Sequence, residues 1–394
     1  MSVIKMKRNH YNDKTIIFIY VLISIALLIS LLREPKEISG LENRNLNKFG
    51  VVNISSYVKK DFQDNTENAI NDQIIGAETI KTILQSKLSF SNRLASNRFL
   101  CKNNYIKIGS GEGKDYYNYN CEKVLIYGRV KDISNYKEMV KKTLSSYKRI
   151  TEEYDTYFYY IPTSYTFDFK VNKEEISILD IIDPKWKVDY LKYDNFKEYK
   201  EFFFSSDHHW NYKGSYQGYK DIHKLLGLHD SPLRPEKECS FPVEFYGSSA
   251  RILRLKDYHD QFTVYQYNLP PHSSYVPMYN IEYGNQQKYF NNEYNTEIYI
   301  NHYGEYYGYD YDEVVFDYNQ KEKDNLLIIS NSFSNAINEL IASHYNKTFI
   351  IDLRHRKEFN IMDYVKKNKI SKILFIMDSE NYFNSGAFIL REEY

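Results

Sequence analysis

Net charge is the first thing the chain lacks. Its 52 Lys plus Arg residues stand against 52 Asp plus Glu, so no overall field draws it to nucleic acid. Cysteine is scarce too, three in 394 residues, and the spacings give no cluster tight enough for a zinc site. Cys101 and Cys121 flank a turn-rich stretch and are placed to close a disulfide across a hairpin, which leaves Cys239 over. A phosphate loop is also missing. In Lys107-Ile-Gly-Ser-Gly-Glu-Gly-Lys-Asp115 the lysine is followed by Asp115, and Ile108 occupies the first-glycine position, so the stretch reads as a turn. No cofactor is expected from these patterns.

Tyrosine, by contrast, is abundant at 41 residues. Its apolar faces and hydroxyl suit a surface that stacks on sugar rings, whereas a codon bias shared with Asn, Lys and Ile explains the excess without any binding role. Thr15–Leu32 is an 18-residue run without charge, close to the ~20 residues a helix needs to cross a bilayer. Lys5, Lys7, Arg8 and Lys14 precede it and mixed charges follow. The positive-inside rule then puts a tail, residues 1–14, in the cytoplasm and everything past residue 32 outside. A cleaved signal peptide would have a shorter apolar region, ~7–15 residues, ending in small residues. Here the run ends Leu31-Leu32-Arg33-Glu34-Pro35, which favours an uncleaved signal anchor in the cell membrane.

Residues 33–118 read as a polar, helical stalk or lead-in, with its best apolar stripe between Glu67 and Leu88. From residue 119 onward strands and helices alternate. Strands are expected at 124–127, 157–161, 325–329, 348–353 and 372–377; helices at 134–147, 212–226, 333–345 and 360–367. That alternation argues for an α/β domain with a mainly parallel sheet covered on both faces. Residues 229–323, rich in Tyr, Asn, Pro and Gly, interrupt the rhythm and read as a β/loop-rich insertion near the rim.

Two short motifs carry the chemistry. Ser332 follows the apolar strand Leu326-Leu-Ile-Ile329 and opens the next helix. It therefore falls at the carboxyl edge of the sheet, where ligands bind in open α/β folds and a helix N-terminus stabilises an oxyanion. Serine is equally a preferred N-cap, a role open to Ser330, Ser332 and Ser334. The second motif is Asp207-His-His-Trp210. Adjacent histidines can pack or ligate metal, but no carboxylate cluster at ligand spacing accompanies them. A turn lets residues i and i+2 meet, which pairs Asp207 with His209 as orienter and base. His208 and Trp210 are then candidates for contact with substrate.

The tetrapeptide resembles the signature of the DHHW proteins, which belong with the alginate-acetylating, SGNH-hydrolase-like proteins of bacterial envelopes. Leu41-Glu-Asn-Arg44, Asn71-Asp-Gln73 with Gly76, and Asp352-Leu-Arg354 are similar to further segments of those proteins, in the same order. The resemblance implies a three-layer α/β/α SGNH-hydrolase-like domain in which Asp207, His209 and Ser332 act as a triad. It also implies O-acetylation of envelope or exopolysaccharide sugars, with acetyl groups supplied by a membrane-bound O-acyltransferase partner. Non-enzymatic glycan binding or scaffolding, and plain carbohydrate esterase activity, are the alternatives. Three departures stand out: Ser330 replaces the family's Gly, Asn331 its frequent Asp, and Ala77-Glu78 its Gly-Arg. Ser332 N–H is one expected oxyanion donor, and Gly128 and Arg129 are candidates by position for the second.

Overall fold

A computed structural model of the chain describes residues 10–37, 46–48, 61–74, 103–111, 114–128, 133–170, 181–182, 185–356, 359–380, 386 and 388–390. They belong to two compact units, residues 1–91 and 92–394.

In the first unit the uncharged run lies within one 23-residue helix, His10–Leu32, with Ile17, Phe18, Tyr20 and Leu28 exposed. The side chains at 16, 19, 23 and 31 fall outside the described set, and among the described residues no helix is long and apolar enough to cross a membrane. The run and the helical backbone thus coincide. The lead-in helix runs Asp61–Gln73, earlier than the expected stripe, most of which lies outside the described residues. Its C-terminal end is tied down through the Asn71-Asp-Gln73 segment. The Gln73 carboxamide accepts from Lys36 N–H (3.0 Å) and donates to the carbonyls of Lys36 and Asn47, while Asp72 accepts from Asn47 N–H (2.9 Å). The Leu41–Arg44 segment lies outside the described residues.

The second unit opens with a three-stranded antiparallel meander, β1 (Tyr105–Gly111), β2 (Lys114–Tyr119) and β3 (Leu125–Tyr127). Two expectations change here. The glycine-rich stretch spans the β1/β2 hairpin, so strand structure begins within what reads as a helical lead-in. The apolar strand at 124–127 belongs to this small sheet and not to the central one. Short apolar runs do not reveal their partners.

The central sheet has eight strands: β4 (Asp155–Ile161), β5 (Lys187–Tyr190), β8 (Ser273–Val276), β9 (Ile281–Glu282), β10 (Glu313–Asp317), β11 (Asn325–Ser330), β12 (Lys347–Ile351) and β13 (Ile370–Asp378). Their order is β5-β4-β13-β11-β12-β10-β8-β9. The first five are mutually parallel, and β10, β8 and β9 extend one edge antiparallel. The stretch 229–323 is therefore no rim appendage alone. It contributes that edge, along with a separate ribbon of β6 (Lys237–Phe245) and β7 (Asp260–Gln266).

Period-two alternation splits each central strand between two cores. Leu326 and Ile328 of β11, Leu374 and Ile376 of β13, and Tyr157 and Tyr159 of β4 face one cluster with helices Phe196–Phe202 and Tyr212–Leu225. Leu327, Ile329, Ile373, Phe375, Phe158 and Tyr160 face the other, with helices Ile133–Ser145 and Ile361–Lys367. A sheet buried on both faces needs continuous apolar strands, which is why these segments lack the polar alternation of half-exposed ones. The result is the expected three-layer α/β/α arrangement around a mainly parallel sheet.

Much of the tyrosine is interior. Tyr116, Tyr147, Tyr159, Tyr160, Tyr219, Tyr289 and Tyr306 are among the largest fully buried side chains. A buried phenol must place its hydroxyl: Tyr159 donates to Asp221 (3.0 Å), Tyr193 to the Pro162 carbonyl (2.7 Å) and Tyr136 to the Ser379 carbonyl (2.8 Å).

Ile328 is fully buried in the sheet centre, whereas Ile281 on edge strand β9 is 44% exposed. Ile328→Ala should lower stability by about 2–5 kcal/mol through lost burial and a residual cavity. Ile281→Ala should change it by under about 0.5 kcal/mol. Denaturant unfolding of the two variants checks the difference.

Candidate active site

The segment 203–210 is a tight loop, and its closure explains the placement of the histidines. Phe203 and Trp210 bridge across its base, and Phe204 N–H donates to the His209 carbonyl (3.2 Å). The Asp260 carboxylate at the start of β7 fastens the loop from outside, accepting from Ser205 N–H (2.9 Å), Ser206 N–H (2.8 Å) and Ser206 Oγ (2.6 Å). Trp210 is completely buried and packs over Gly218 of the following helix, where a Cβ would stand 2.6 Å from the indole. The expected substrate contact from Trp210 is thereby corrected: the indole is a floor for the loop and does not reach the surface.

Asp207 and His209 meet as the i, i+2 spacing requires. One carboxylate oxygen of Asp207 accepts from His209 N–H (2.9 Å) and lies 2.6 Å from His209 Nδ1. The other accepts from Ser248 N–H (2.6 Å). Burial by itself would raise the Asp207 carboxyl; the charges of His208 and His209 and these hydrogen bonds prevail and hold it well below its ordinary value. His209 Nε2 lies 2.8 Å from Ser332 Oγ. The three side chains thus form one continuous chain of hydrogen bonds from carboxylate to hydroxyl.

His208 packs beside that chain, its ring centroid 3.8 Å from that of His209 and its Nδ1 3.5 Å from Asp207 Oδ1. Its Nδ1 is 2.7 Å from Ser248 Oγ, and its ring lies near Tyr127 and Phe333. Burial, reinforced by His209 and against the pull of Asp207, lowers its pKa well below the ordinary histidine value. His208 is therefore a neutral neighbour at physiological pH. Asp207, His208 and His209 do bring three metal-ligand atoms together, but His209 Nδ1 and Nε2 and His208 Nδ1 are each already hydrogen-bonded.

Ser332 sits just past the carboxyl end of β11, on the first residue of a 3₁₀ helix, Ser332–Ala336. This differs from the single helix expected over 333–345: Ile337 breaks the backbone, and a short α-helix, Asn338–Ala342, follows. Polar side chains here compete with the helix for backbone groups. Asn331 accepts from Phe333 N–H (3.2 Å), Ser334 Oγ donates to the Asn331 carbonyl (3.1 Å), and Asn335 donates to the Gly308 carbonyl (3.2 Å). As the first helical residue, Ser332 has an N–H with no intrahelical acceptor.

The departures at 330 and 331 fit their surroundings. Ser330 is the last residue of β11, is not among the residues with positive φ, and its hydroxyl lies 2.6 Å from that of Ser334. Nothing there requires glycine. Asn331 is buried and donates to Asp378 at the end of β13 (2.5 Å), which ties the serine turn to the neighbouring strand. The positional candidates for a second oxyanion donor fare differently. Gly128 N–H is already spent on the Asp115 carbonyl (2.6 Å), so Gly128 is corrected; Arg129 lies outside the described residues. Cys121 is disulfide-bonded and Cys239 is free; Cys101 lies outside the described residues.

The stretch between 229 and 323 supplies groups that sequence reading missed. Tyr303 stacks on the His209 ring, centroids 4.1 Å apart and planes 13° from parallel, and its hydroxyl donates to the Ser332 carbonyl (3.0 Å). Gly247 packs against Asp207 so tightly that a Cβ would stand 2.3 Å from the Asp207 Cβ and 2.6 Å from its backbone. Ser248 follows and supplies the amide to Asp207. A lone Gly-Ser-Ser within a tyrosine-rich stretch carries no signal that it meets a loop 40 residues earlier.

The depressed pKa of His208 makes stability depend on pH. Its folded pKa lies below the unfolded one, so the unfolded chain takes up its proton first as pH falls through about 6.5, and stability declines. His208→Gln should flatten the loss of stability as pH falls below about 6.5. Unfolding midpoints across that range check the slope.

No family model and no curated protein matches the chain. Solved structures do. Bacillus cereus PatB1, determined with a sulfonyl adduct, aligns with a TM-score of 0.54 at 20% identity, over 71% of this chain and 100% of that one. A DHHW family protein from Eubacterium siraeum DSM 15702 aligns with a TM-score of 0.51 at 16% identity, over 71% of this chain and 95% of that one. At these identities the likeness is one of fold, and the resemblance to the DHHW proteins read from short motifs is borne out at that level: this chain has the α/β architecture that PatB1 and the DHHW protein share.

Proposed function

We propose that the protein is an extracytoplasmic acyl-transfer enzyme that moves acetyl groups to sugar hydroxyls through a serine ester. The observation that carries the reading is the unbroken Asp207–His209–Ser332 chain, with contacts of 2.6 and 2.8 Å. His209 Nε2 takes the Ser332 proton as Oγ attacks the ester carbonyl, and Asp207 holds the imidazole in the required tautomer and balances its charge. The Ser332 N–H donates to the oxyanion. Collapse of the tetrahedral intermediate expels the donor's oxygen with the proton from His209. The acetyl serine is then attacked by an acceptor hydroxyl, which gives its proton to His209; collapse breaks the serine ester, releases the acetylated acceptor, and Ser332 Oγ takes the proton back from His209.

We assign the sugar acceptor to a neighbouring cavity that Asp207, His209 and Ser332 do not themselves line. The cavity, of about 490 Å³, is lined by Tyr267, Tyr283, Tyr307, Gln286 and Glu339 together with Asn335, and Asn335 belongs to the 3₁₀ helix that Ser332 begins. Aromatic faces beside amide and carboxylate groups suit a polyhydroxylated ring. That the PatB1 structure carries a sulfonyl adduct supports a nucleophile on this fold, since sulfonylation needs one. For the N-terminal run we propose a signal anchor with residues 33–394 outside; an acetyl donor there would come from a membrane-bound O-acyltransferase, because cytosolic acetyl-CoA does not reach that side.

The full chain in detergent should turn over a chromogenic acetyl ester, and Ser332→Ala and His209→Ala should each lose at least about 10³-fold. Acetylated oligosaccharide among the products marks a transferase, and free acetate alone an esterase. Undiminished turnover in Ser332→Ala refutes the serine ester. Gly247→Ala should lower kcat by about 10²-fold or more while the protein stays folded, because a displaced Asp207 no longer aligns the imidazole; unchanged kcat would mean the close approach is incidental.

A further inference from the structure

Among the described residues, three groups bring imidazole and carboxylate ligand atoms within 4.8 Å of one another. One is the triad region, whose donors are engaged as described. In the second, Asp310 and Asp352 already bind the Arg354 guanidinium, at 2.8 and 2.5 Å, which supplies the positive charge an ion would bring. The third is His223, Asp230 and His344, and nothing in the proposed reaction uses it.

We propose that His223 Nε2, His344 Nδ1 and the Asp230 carboxylate form a binding site for a divalent transition-metal ion of the zinc class. The three residues come from separate pieces of chain: the last turn of helix Tyr212–Leu225, the loop after it, and the segment after helix Asn338–Ala342. His344 Nδ1 lies 2.7 Å from one Asp230 oxygen, and His223 Nε2 lies 3.4 Å from the other. Ligand atoms about 2.0–2.2 Å from one zinc ion, at tetrahedral angles, are about 3.3 Å apart. The two observed separations, which run to different Asp230 oxygens, fall on either side of that value, and the three ligand atoms all lie within 4.8 Å of one another.

A second observation points the same way. The His223 side chain is 7% exposed, and its buried Nε2 makes no hydrogen bond of good geometry among the described residues, facing the Asp230 carboxylate at 3.4 Å. An unsatisfied ring nitrogen in the interior carries a desolvation cost that ligation removes. The outer partner of a metal-binding histidine is present as well. His344 Nε2 lies 2.7 Å from the Tyr219 hydroxyl, which also accepts from Leu233 N–H (2.8 Å); such a partner fixes the tautomer and ring orientation. On metal binding His344 takes the Nε2–H tautomer, its Nδ1 lone pair going to the ion and its Nε2–H to the Tyr219 oxygen, whose own proton rotates away from the ring. Asp230 is half exposed, leaving the fourth coordination position to water.

The site has a structural logic. Helix Tyr212–Leu225 begins directly after His209-Trp210, with Asn211 as its cap, and the segment that ends at His344 begins at Ser332. One ion would clamp the far ends of the two pieces whose near ends carry base and nucleophile.

Titration of the chelator-treated full chain in detergent with Zn²⁺, followed by calorimetry, tests this. The expected result is one ion per chain at micromolar affinity or tighter. Asp230→Asn and His223→Gln should each weaken binding about tenfold or more, and Asp207→Asn should leave it intact. Zn²⁺ should also raise the wild-type Tm and fail to raise that of Asp230→Asn, a half-exposed change that tests the site without disturbing the core. No Zn²⁺ binding by the wild type, binding that survives both variants, or binding lost in Asp207→Asn overturns the assignment; tighter binding of Mg²⁺ than Zn²⁺ overturns its chemical class.

Discussion

A carboxylate taken out of water must be met by donors, and the architecture around the site follows from meeting Asp207. Its two oxygens receive a backbone amide and an imidazole from its own loop and a second amide from Ser248. An isolated buried charge would cost far more than the fold's net stability. The loop must therefore curl back on itself, and the chain between β6 and β7 must approach within contact distance. Gly247 permits that approach. Asp260 then anchors the same loop from the other side, through Ser205 and Ser206. One buried charge thus couples the loop, the ribbon and the serine turn into a single polar network between two apolar cores.

Much of this was legible in the sequence, for identifiable reasons. The strands β4, β11, β12 and β13 are apolar on both faces, and only a doubly covered sheet needs that pattern; the strand–helix alternation then fixed the class. The i, i+2 relation of Asp207 and His209 is local, and the helix expected over 212–226 runs Tyr212–Leu225 and stops before Gly227, whose φ is +65°. Ser332 was placed by the strand before it, whose carboxyl end is where such folds bind ligands.

What was not legible depends on contacts distant in sequence. Leu125–Tyr127 looks like a central strand because burial is local to the residue, while strand partners are not. The stretch 229–323 read as a rim because its aromatic, turn-rich composition hides its pairing; yet it extends the sheet through β8–β10 and brings Tyr303, Gly247 and Ser248 to the site. The helix after Ser332 opens as a 3₁₀ turn capped by Asn331, with the Ser334 hydroxyl bonded to the Asn331 carbonyl, local side-chain bonding that periodicity does not register. Trp210, adjacent to two histidines, invited a ligand role, and the cavity over Gly218 instead took the indole inward.

The central claim is that Ser332, and no neighbouring serine, is the nucleophile that His209 activates. Treating the full chain with a sulfonyl fluoride and mapping the labelled peptide tests it without assuming any substrate. The account predicts one sulfonyl group, on Ser332, whose attachment slows at least about 10²-fold in His209→Ala. Label on Ser330 or Ser334, or labelling of Ser332 at the same rate without His209, would contradict it.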